Sequence, residues 1–570
     1  MGNFIQKIIY ASPLISQGRY RAINTNSYSI ERLDHLGIIA GVIKDLNIVE
    51  LIDKRLGSFQ GETLSAGETV AGMMMNGLGF SNKPLSLTPL FFKKVPLSLL
   101  FREGVKAEDF NRFKLGRVLD RCHGYGTELL FSEISLNVCR QEKVDTRFNS
   151  LDSTSFTLSG DYLEKTDDET VAIKLGYSKD HRPDLKQVML EMMVSQDGGI
   201  PLIGKALDGN ASDNTVFKER SEQLLESFKA SETPRYLIAD CKLYTEKNAL
   251  NLKEILFITR IPSNIKRVNE IIEQALAASN DWQKLDDGRM MKTVEIEHYD
   301  IKQRWHVLSS ETSKQRAIKQ VDKKVAKALI TIEKQLFHLQ AKRFNCALDA
   351  TEAVEEIAKK WKFYKLKDIE IIEYLSYEGK GRPKKYQAPT GIKYQAIAEN
   401  EQDVNKIERT KMKEAHYIIG SNTDPKELSD QAVVLAYKEQ NQVERGFRFL
   451  KDPLFFTSTL FVKKPRRIMA LLMVMLLSLL VYGIAERRMR ASLAEQKKTL
   501  PNQINQATAK PTLRWVFQLL HGIHCLKITT QHQTEQVIEG LTPLHQKILL
   551  LFGKTVENIY QIPLKNTRSM

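Results

Sequence analysis

The sequence predicts an α/β protein in which a mixed-sheet core is interrupted by a β-containing insertion, with a helical N-terminal domain before it and a helical region after it. Three observations predict this. Short apolar runs, FNSLD at 148–152 and YLIAD at 236–240, read as strands that each end on a carboxylate. Helical apolar spacing dominates the chain before residue 145 and again beyond residue 465. Between 290 and 421, strand-like alternation surrounds one long Lys-rich segment.

The bulk numbers set the class. At 570 residues the chain is long enough for several domains with a sizeable core. Eighty-four Lys and Arg against 69 Asp and Glu give a formal charge of +15, an excess that favours a polyanionic partner such as nucleic acid. Five scattered cysteines without a CxxC pair, an odd count, argue against a disulfide framework and suit a reducing cytoplasm. His521, His524 and Cys525 lack a second ligand pair at finger spacing and read as helix packing. The N-terminus, interrupted by Gln6 and Lys7, lacks a signal-peptide core, and Gln6 stands where a myristoylation site needs Ser or Thr.

In chain order, residues 29 to about 58 show apolar positions at helical spacing, with Gly57 as a stop. Residues 76–101 carry Pro84, Pro89 and Pro96 and read as a buried loop. Helical patterns follow over 107–122 and 126–141, giving a helical domain over 1–145. Asp152 then ends the first apolar run, and a β-rich stretch follows with turns at Gly176, Pro183, Gly198 and Gly209. A helix is expected over 213–230, before the strand 236–239 that presents Asp240. For either Asp taken alone, a cap or turn role is the ordinary alternative. Asp145, Asp161 and Asp184 compete with Asp152, but none ends an apolar run in the same way.

An insertion is expected over 266–425, after a first core segment at 146–265. It holds strands within 290–309, a heptad-like helix over 311–344 that suits a dimer arm or a solvated spacer, and further strand-like runs at 369–394 and 415–421. Trp282 and Trp305 fit either stacking on an extruded base or plain burial. The core resumes over 426–495. Residues 468–485 have the length and apolarity of a membrane span, yet they lie within a continuous globular pattern and read as a buried helix. Residues 496–570 close the chain, with a linker at 501–510 and helical patterns at 511–526 and 542–560.

The most informative stretch is AYKEQNQVERGFRFLKDP, residues 436–453. At about 100° per residue, Tyr437, Gln440, Glu444 and Lys451 share a sector about 60° wide on one helix, with Arg448 close by. Ala436, Val443 and Leu450 point elsewhere and can bury it. A solvated helical face is the bland alternative. The spacing Tyr437, Gln440, Glu444, Lys451 resembles the Y-xx-R-xxx-E-xxxxxx-K signature of DDE insertion-sequence transposases, with Gln440 in place of the family Arg. GYSKDHRPDLKQ at 176–187, with GNASD after it, resembles the stretch that follows the first Asp in one subgroup of the same family.

That resemblance implies a ribonuclease H-like core in which Asp152, Asp240 and Glu444 bind two Mg²⁺ (or Mn²⁺) ions. Tyr437, Gln440, Arg448 and Lys451 would contact DNA, and Lys438 or Arg445 would be the substitutes for the missing Arg charge. It implies cut-and-paste transposition: metal-dependent cleavage at the transposon ends and strand transfer into target DNA by a homodimer formed on DNA, in the prokaryotic cytoplasm and at the nucleoid. The basic helical N-terminal domain resembles the end-recognition domain of these enzymes, with a plain bundle packing on the core as the alternative. Two rival classes remain: a catalytically inactive DNA-binding relic or repressor, and a basic protein anchored in a membrane through 468–485.

Overall fold

The computed structural model describes residues 25–81, 83–158, 160, 162, 169–177, 182–211, 235–241, 244–246, 248, 253–278, 281–379, 381–455, 462–530 and 534–562. The helix expected over 213–230 and the competitor Asp161 lie outside them.

The elements run in chain order as follows. Strand β1 (Thr25–Arg32) precedes helices α1 (Leu36–Asp45), α2 (Ile48–Leu56), α3 (Ala66–Leu78), α4 (Thr88–Phe92), α5 (Leu97–Leu100), α6 (Arg112–Tyr125) and α7 (Thr127–Gln141). Strands β2 (Phe148–Leu158), β3 (Lys186–Ser195), β4 (Pro201–Leu207), β5 (Tyr236–Ala239) and β6 (Leu256–Arg260) lead to α8 (Lys266–Ala277). Next come β7 (Gln283–Lys284), β8 (Met290–His298), β9 (Ile301–Ser309), α9 (Glu311–Gln340), α10 (Ala347–Ala358), β10 (Tyr364–Ser376), β11 (Gly391–Gln402), α11 (Val404–Glu414) and β12 (His416–Ser421). The chain closes with α12 (Asp430–Lys438), α13 (Asn441–Leu450), α14 (Pro465–Glu495), a short ribbon of β13 (Leu500–Pro501) with β14 (Ala507–Thr508), α15 (Leu513–Leu519), β15 (His524–Thr530), β16 (Thr534–Glu539), α16 (Pro543–Leu549) and α17 (Lys554–Ile559).

The chain divides into two compact units. The first holds the described residues up to 211, 235–237, and everything from Glu439 onward; the second is Ile238–Lys438. The chain therefore crosses between them inside β5 and again after Lys438.

In the first unit β2, β3 and β4 form an antiparallel run in the order β4-β3-β2. The Tyr236 amide donates to the Arg147 carbonyl at 2.7 Å, which starts β5 beside the head of β2. Helix α14 is the core element. Pro465 sits in its first turn, where a missing N–H costs nothing, and its residues from Ile468 to Ala485 are buried apart from half-exposed Met469 and Tyr482. It packs on α1, α3, α6, α7, α13 and β4. At Gly204 a Cβ would lie 2.2 Å from the Leu476 Cδ1, so only glycine lets β4 lie this close to α14. The expectation of a buried helix at 468–485 matches this burial.

Three expectations for this unit are corrected. Residues 29–32 are strand, because β1 pairs with β15 near the other end of the chain, and β15 pairs with β16. The N-terminal domain and the region after 496 are therefore not purely helical. The run that begins at Phe148 does not end at Asp152. It continues through Ser153–Leu158, whose hydroxyls are compatible with a strand when the partner is the largely apolar β3, so Asp152 is the fifth of eleven strand residues.

In the second unit the strand order is β5-β6-β12-β9-β8-β7, with β6, β12, β9, β8 and β7 joined antiparallel. A separate apolar cluster joins α9, α10, α11 and the long hairpin β10-β11, centred on Val321, Leu336, Val354, Trp361 and Ala396. A capping box between Ser310 and Ser313 starts α9. Trp305 is fully buried, with its indole N–H on the Gln303 amide oxygen at 3.0 Å, which removes it as a base-stacking residue. Trp282 remains half-buried against His416.

Candidate active site

Within the first unit, α13 carries Glu444. Its buried stripe of Val443, Gly446, Phe447 and Leu450 faces inward, and Glu444 and Lys451 lie together on one flank of that stripe. The helix packs on β2 and β3. Gly446 sets the approach, since a Cβ there would stand 2.8 Å from the Met192 Cε. Met192 lies opposite Asp152 in the β2-β3 ladder, so the two side chains share one face of the sheet. Phe156, four residues beyond Asp152, is on the same face, and the Lys451 Nζ stands 5.6 Å from its ring centroid. Helix α13 therefore lies over the Asp152 face.

Asp152 is half-buried and accepts the Ser153 amide at 2.7 Å. Glu444 and Arg448 are exposed, and neither has a hydrogen-bond or ion-pair partner among the described residues. The competitors are spoken for locally: Asp145 is held by Arg147 at 2.7 Å, and that guanidinium keeps its carboxyl below the usual range. Asp184 is paired with Arg182, also at 2.7 Å.

Within the second unit, Asp240 follows β5 directly, and the Thr259 hydroxyl of β6 donates to its carbonyl at 3.0 Å. Tyr437, near the end of α12, belongs to the same unit. Burial pushes its phenol well above the usual range, with the Arg260 guanidinium opposing and the Asp240 carboxylate adding to the shift. The phenol is therefore a hydrogen-bond donor throughout the physiological range. Arg260 also lies 5.3 Å over the Tyr417 ring, and Arg289 donates to the Tyr417 hydroxyl at 3.2 Å.

The N-terminus of α12 is fixed by a buried network. Arg304 on β9 donates to Asp430 and, through its Nη2, to the Thr423 hydroxyl and the Leu428 carbonyl, each at 2.8 Å. The Thr293 hydroxyl donates to Asp430 at 2.8 Å and lies 2.9 Å from the His306 Nδ1. A hydroxyl that has given its proton to a carboxylate can only accept from the ring, so this network assigns His306 the neutral Nδ1–H tautomer. Burial holds the His306 imidazole below its ordinary range.

The segment 436–453 differs from one continuous helix. Helix α12 ends at Lys438, Glu439 and Gln440 form a turn, and α13 starts at Asn441 with Gln440 as its N-cap residue, lacking a side-chain cap bond. The amides of Gln442 and Val443 reach back three residues, to Glu439 and Gln440, so the winding tightens there. The single face expected across 437–451 thus splits between Tyr437 and the group on α13. The Lys438 ammonium is 3.2 Å from Asp287, which Arg289 also binds and holds at a pKa of about 2. Arg445 is exposed.

Among the described residues, no group of three or more His, Cys, Asp and Glu is gathered as a metal-binding cluster. Sequence reasoning missed Phe156 beneath Lys451, Arg260 and Tyr417 around Tyr437, and the Arg304–Asp430 pair. Phe156 had a legible signal, the period-two spacing from Asp152, once the strand is extended past that residue.

Comparison with known proteins completes the picture. Residues 28–136 match a domain of unknown function, DUF4277. No curated protein matches the chain. A cryo-EM structure of the piggyBac transposase synaptic complex with hairpin DNA aligns over 87% of this chain and 82% of its own, at 11% identity and a TM-score of 0.34, a level that has no bearing on the fold. Residues 145–481, more than half of the sequence, match the family described as Transposase DDE domain. The chain belongs to the transposase DDE domain family.

Proposed function

We propose that this DDE transposase binds the ends of its own insertion sequence, cleaves there and transfers the freed strand into target DNA, in a cut-and-paste reaction. The observation that carries this reading is the family match, whose span from 145 to 481 includes Asp152, Asp240, Tyr437, Gln440, Glu444, Arg448 and Lys451. The antiparallel β4-β3-β2 run with β5 starting beside β2 supports a ribonuclease H-like core.

In this reading Asp152, Asp240 and Glu444 would hold two Mg²⁺ or Mn²⁺ ions, and Glu444 suits the part because its carboxylate has no other partner among the described residues. Such ions supply activation of the attacking oxygen and stabilisation of the leaving one. Lys451 places a point charge at the Asp152 face for a DNA phosphate, and Arg448, exposed on the same helix, adds a second cation. The protonated Tyr437 phenol donates to a phosphate oxygen. The working form is a homodimer on double-stranded DNA, in the cytoplasm and at the nucleoid. Its test is a strand-transfer assay with a pre-cleaved element end, a target plasmid and Mg²⁺. Joined product with the wild type and none with Asp152→Asn supports the reading; no joining under any divalent metal contradicts it.

One observation favours a second reading, a DNA-binding relic without catalysis: Gln440 cannot supply the charge of the family Arg, and Lys438 is engaged by Asp287. Sequence-specific binding without joining would select it.

A further inference from the structure

The hairpin β10-β11 carries a basic tip that the catalytic reading leaves without a task. Its ladder runs from Tyr364 opposite Gln402 to Ser376 opposite Gly391. The root is anchored in the apolar cluster of the second unit through Tyr364, Ala396 and Ala398, with Leu366, Ile369 and Ile371 packed against them. Beyond Tyr394, the last residue packed on that cluster, the ribbon emerges: Tyr374, Leu375 and Ile392 are exposed. The loop that closes it, GKGRPKKYQAPT at 379–390, holds Lys380, Arg382, Lys384 and Lys385 and no acidic residue.

This loop is pre-shaped. The Gln387 amide donates to the Lys384 carbonyl at 3.0 Å, and the Gln387 side chain accepts the Lys384 amide at 3.1 Å. The same side chain donates to the Glu378 carbonyl at 2.7 Å, and Thr390 closes onto the Ser376 carbonyl with its amide at 2.7 Å and its hydroxyl at 3.0 Å. Gly379 and Gly381 take φ values of 105° and 109°, a backbone region that side chains avoid. The result is a fixed turn presenting Lys384, Lys385 and Tyr386, a residue 91% exposed.

Near the root of the hairpin several cations are paired, and those at its tip are not. At the root of the hairpin and on the helix after it, Lys365, Lys367, Lys411, Lys413 and Arg409 each have a carboxylate within 3.0 Å. Arg382, Lys384 and Lys385 have no ion-pair partner among the described residues. Unneutralised cations on a stiff two-stranded ribbon, whose width suits a DNA groove, match the phosphate rows of a duplex. Holding the turn in place before binding lowers the ordering cost of the contact.

We propose that the tip of this hairpin is a DNA-backbone contact, with Arg382, Lys384 and Lys385 on phosphates and Tyr386 against the sugar edge. The proposal rests on the transposase reading and adds a contact that positions DNA without reading its sequence.

The test uses the full-length protein and two labelled duplexes of equal length, one bearing the native element end and one unrelated. A triple variant, Arg382→Gln with Lys384→Gln and Lys385→Gln, is compared with the wild type in a salt titration. The expected result is at least about tenfold weaker binding to both duplexes, with the slope of log affinity against log salt smaller by about 2 to 3. The charge-preserving variant, Arg382→Lys with Lys384→Arg and Lys385→Arg, should bind like the wild type. A photoreactive residue in place of Tyr386 should form an adduct with DNA, which reports contact even if the triple variant is poorly folded. Unchanged affinity and slope with no adduct, in a protein whose wild type binds and joins ends, overturns the hairpin proposal alone. Failure of the wild type to bind either duplex overturns it together with the transposase reading.

Discussion

Lys451 holds its ammonium 5.6 Å from the ring centroid of Phe156, which shares a face of β2 with Asp152. That relation gives the lysine a place at the proposed centre despite its position at the very end of α13, where it serves as the C-cap residue. Lys451→Met keeps the aliphatic stem and removes the charge. Strand joining should fall by about 10 to 100-fold while stability changes by about 1 kcal/mol or less. Equal joining rates for the two proteins would remove Lys451 from the site.

Gly446 is the spacer that lets α13 approach the sheet. Gly446→Val would drive its side chain into Met192, costing about 1 to 3 kcal/mol through overpacking, because the 2.8 Å contact already exists for a bare Cβ. Gly446→Val combined with Met192→Ala should recover part of that loss in urea unfolding. Strictly additive destabilisation would show that the two residues do not meet.

The Arg304–Asp430 pair anchors the helix that carries Tyr437. Arg304 is buried, so Asp430→Ala leaves an uncompensated charge and should destabilise the protein by about 3 to 5 kcal/mol. The double change, Arg304→Met with Asp430→Ala, should cost less than Asp430→Ala alone. A double variant less stable than either single one would contradict this account of the anchor.

Two buried histidines give stability a defined pH dependence. Burial lowers His35 to about 4, and burial lowers His306 as well, so both are neutral in the folded protein at pH 7. Unfolded, each titrates near its ordinary value of about 6.5. The unfolded chain therefore takes up protons first as the pH falls, and folded stability is full above about 6.5 and declines toward 4. Each histidine should contribute about 1.4 kcal/mol per pH unit inside that window. Urea midpoints should fall between about pH 7 and pH 5, and a His35→Leu variant should show a shallower fall even if it is less stable throughout. An identical slope in that variant would show that His35 is already charged in the fold.

How much was legible in the sequence depended on whether local composition agreed with long-range pairing. The apolar runs at 236–239 and 468–485, the strands within 290–309 and the helix from 311 announced themselves, because burial there follows from the residues alone. Strand β2 beyond Asp152 did not: Ser153, Thr154 and Ser155 look like a turn, and only the apolar partner β3 makes them strand. Pairing of β1 with β15 joins opposite ends of the chain, which no local pattern encodes. The turn at Glu439 and Gln440 carries neither Gly nor Pro, so the spacing from Tyr437 to Lys451 read as one helix. The carboxylate on α13 and its lysine were nevertheless placed on a common flank, because the helical period holds from 441 to 450.

The most direct measurement is Mg²⁺-dependent nicking of a labelled duplex carrying the native element end, comparing the wild type with Glu444→Gln and measuring DNA binding in parallel. The account predicts that the wild type cuts, and that the variant folds and binds equally well but cuts at least about a thousandfold more slowly. A Glu444→Gln protein that cuts at the wild-type rate would contradict the assignment of Glu444 as a metal-binding carboxylate, and with it the proposed active site.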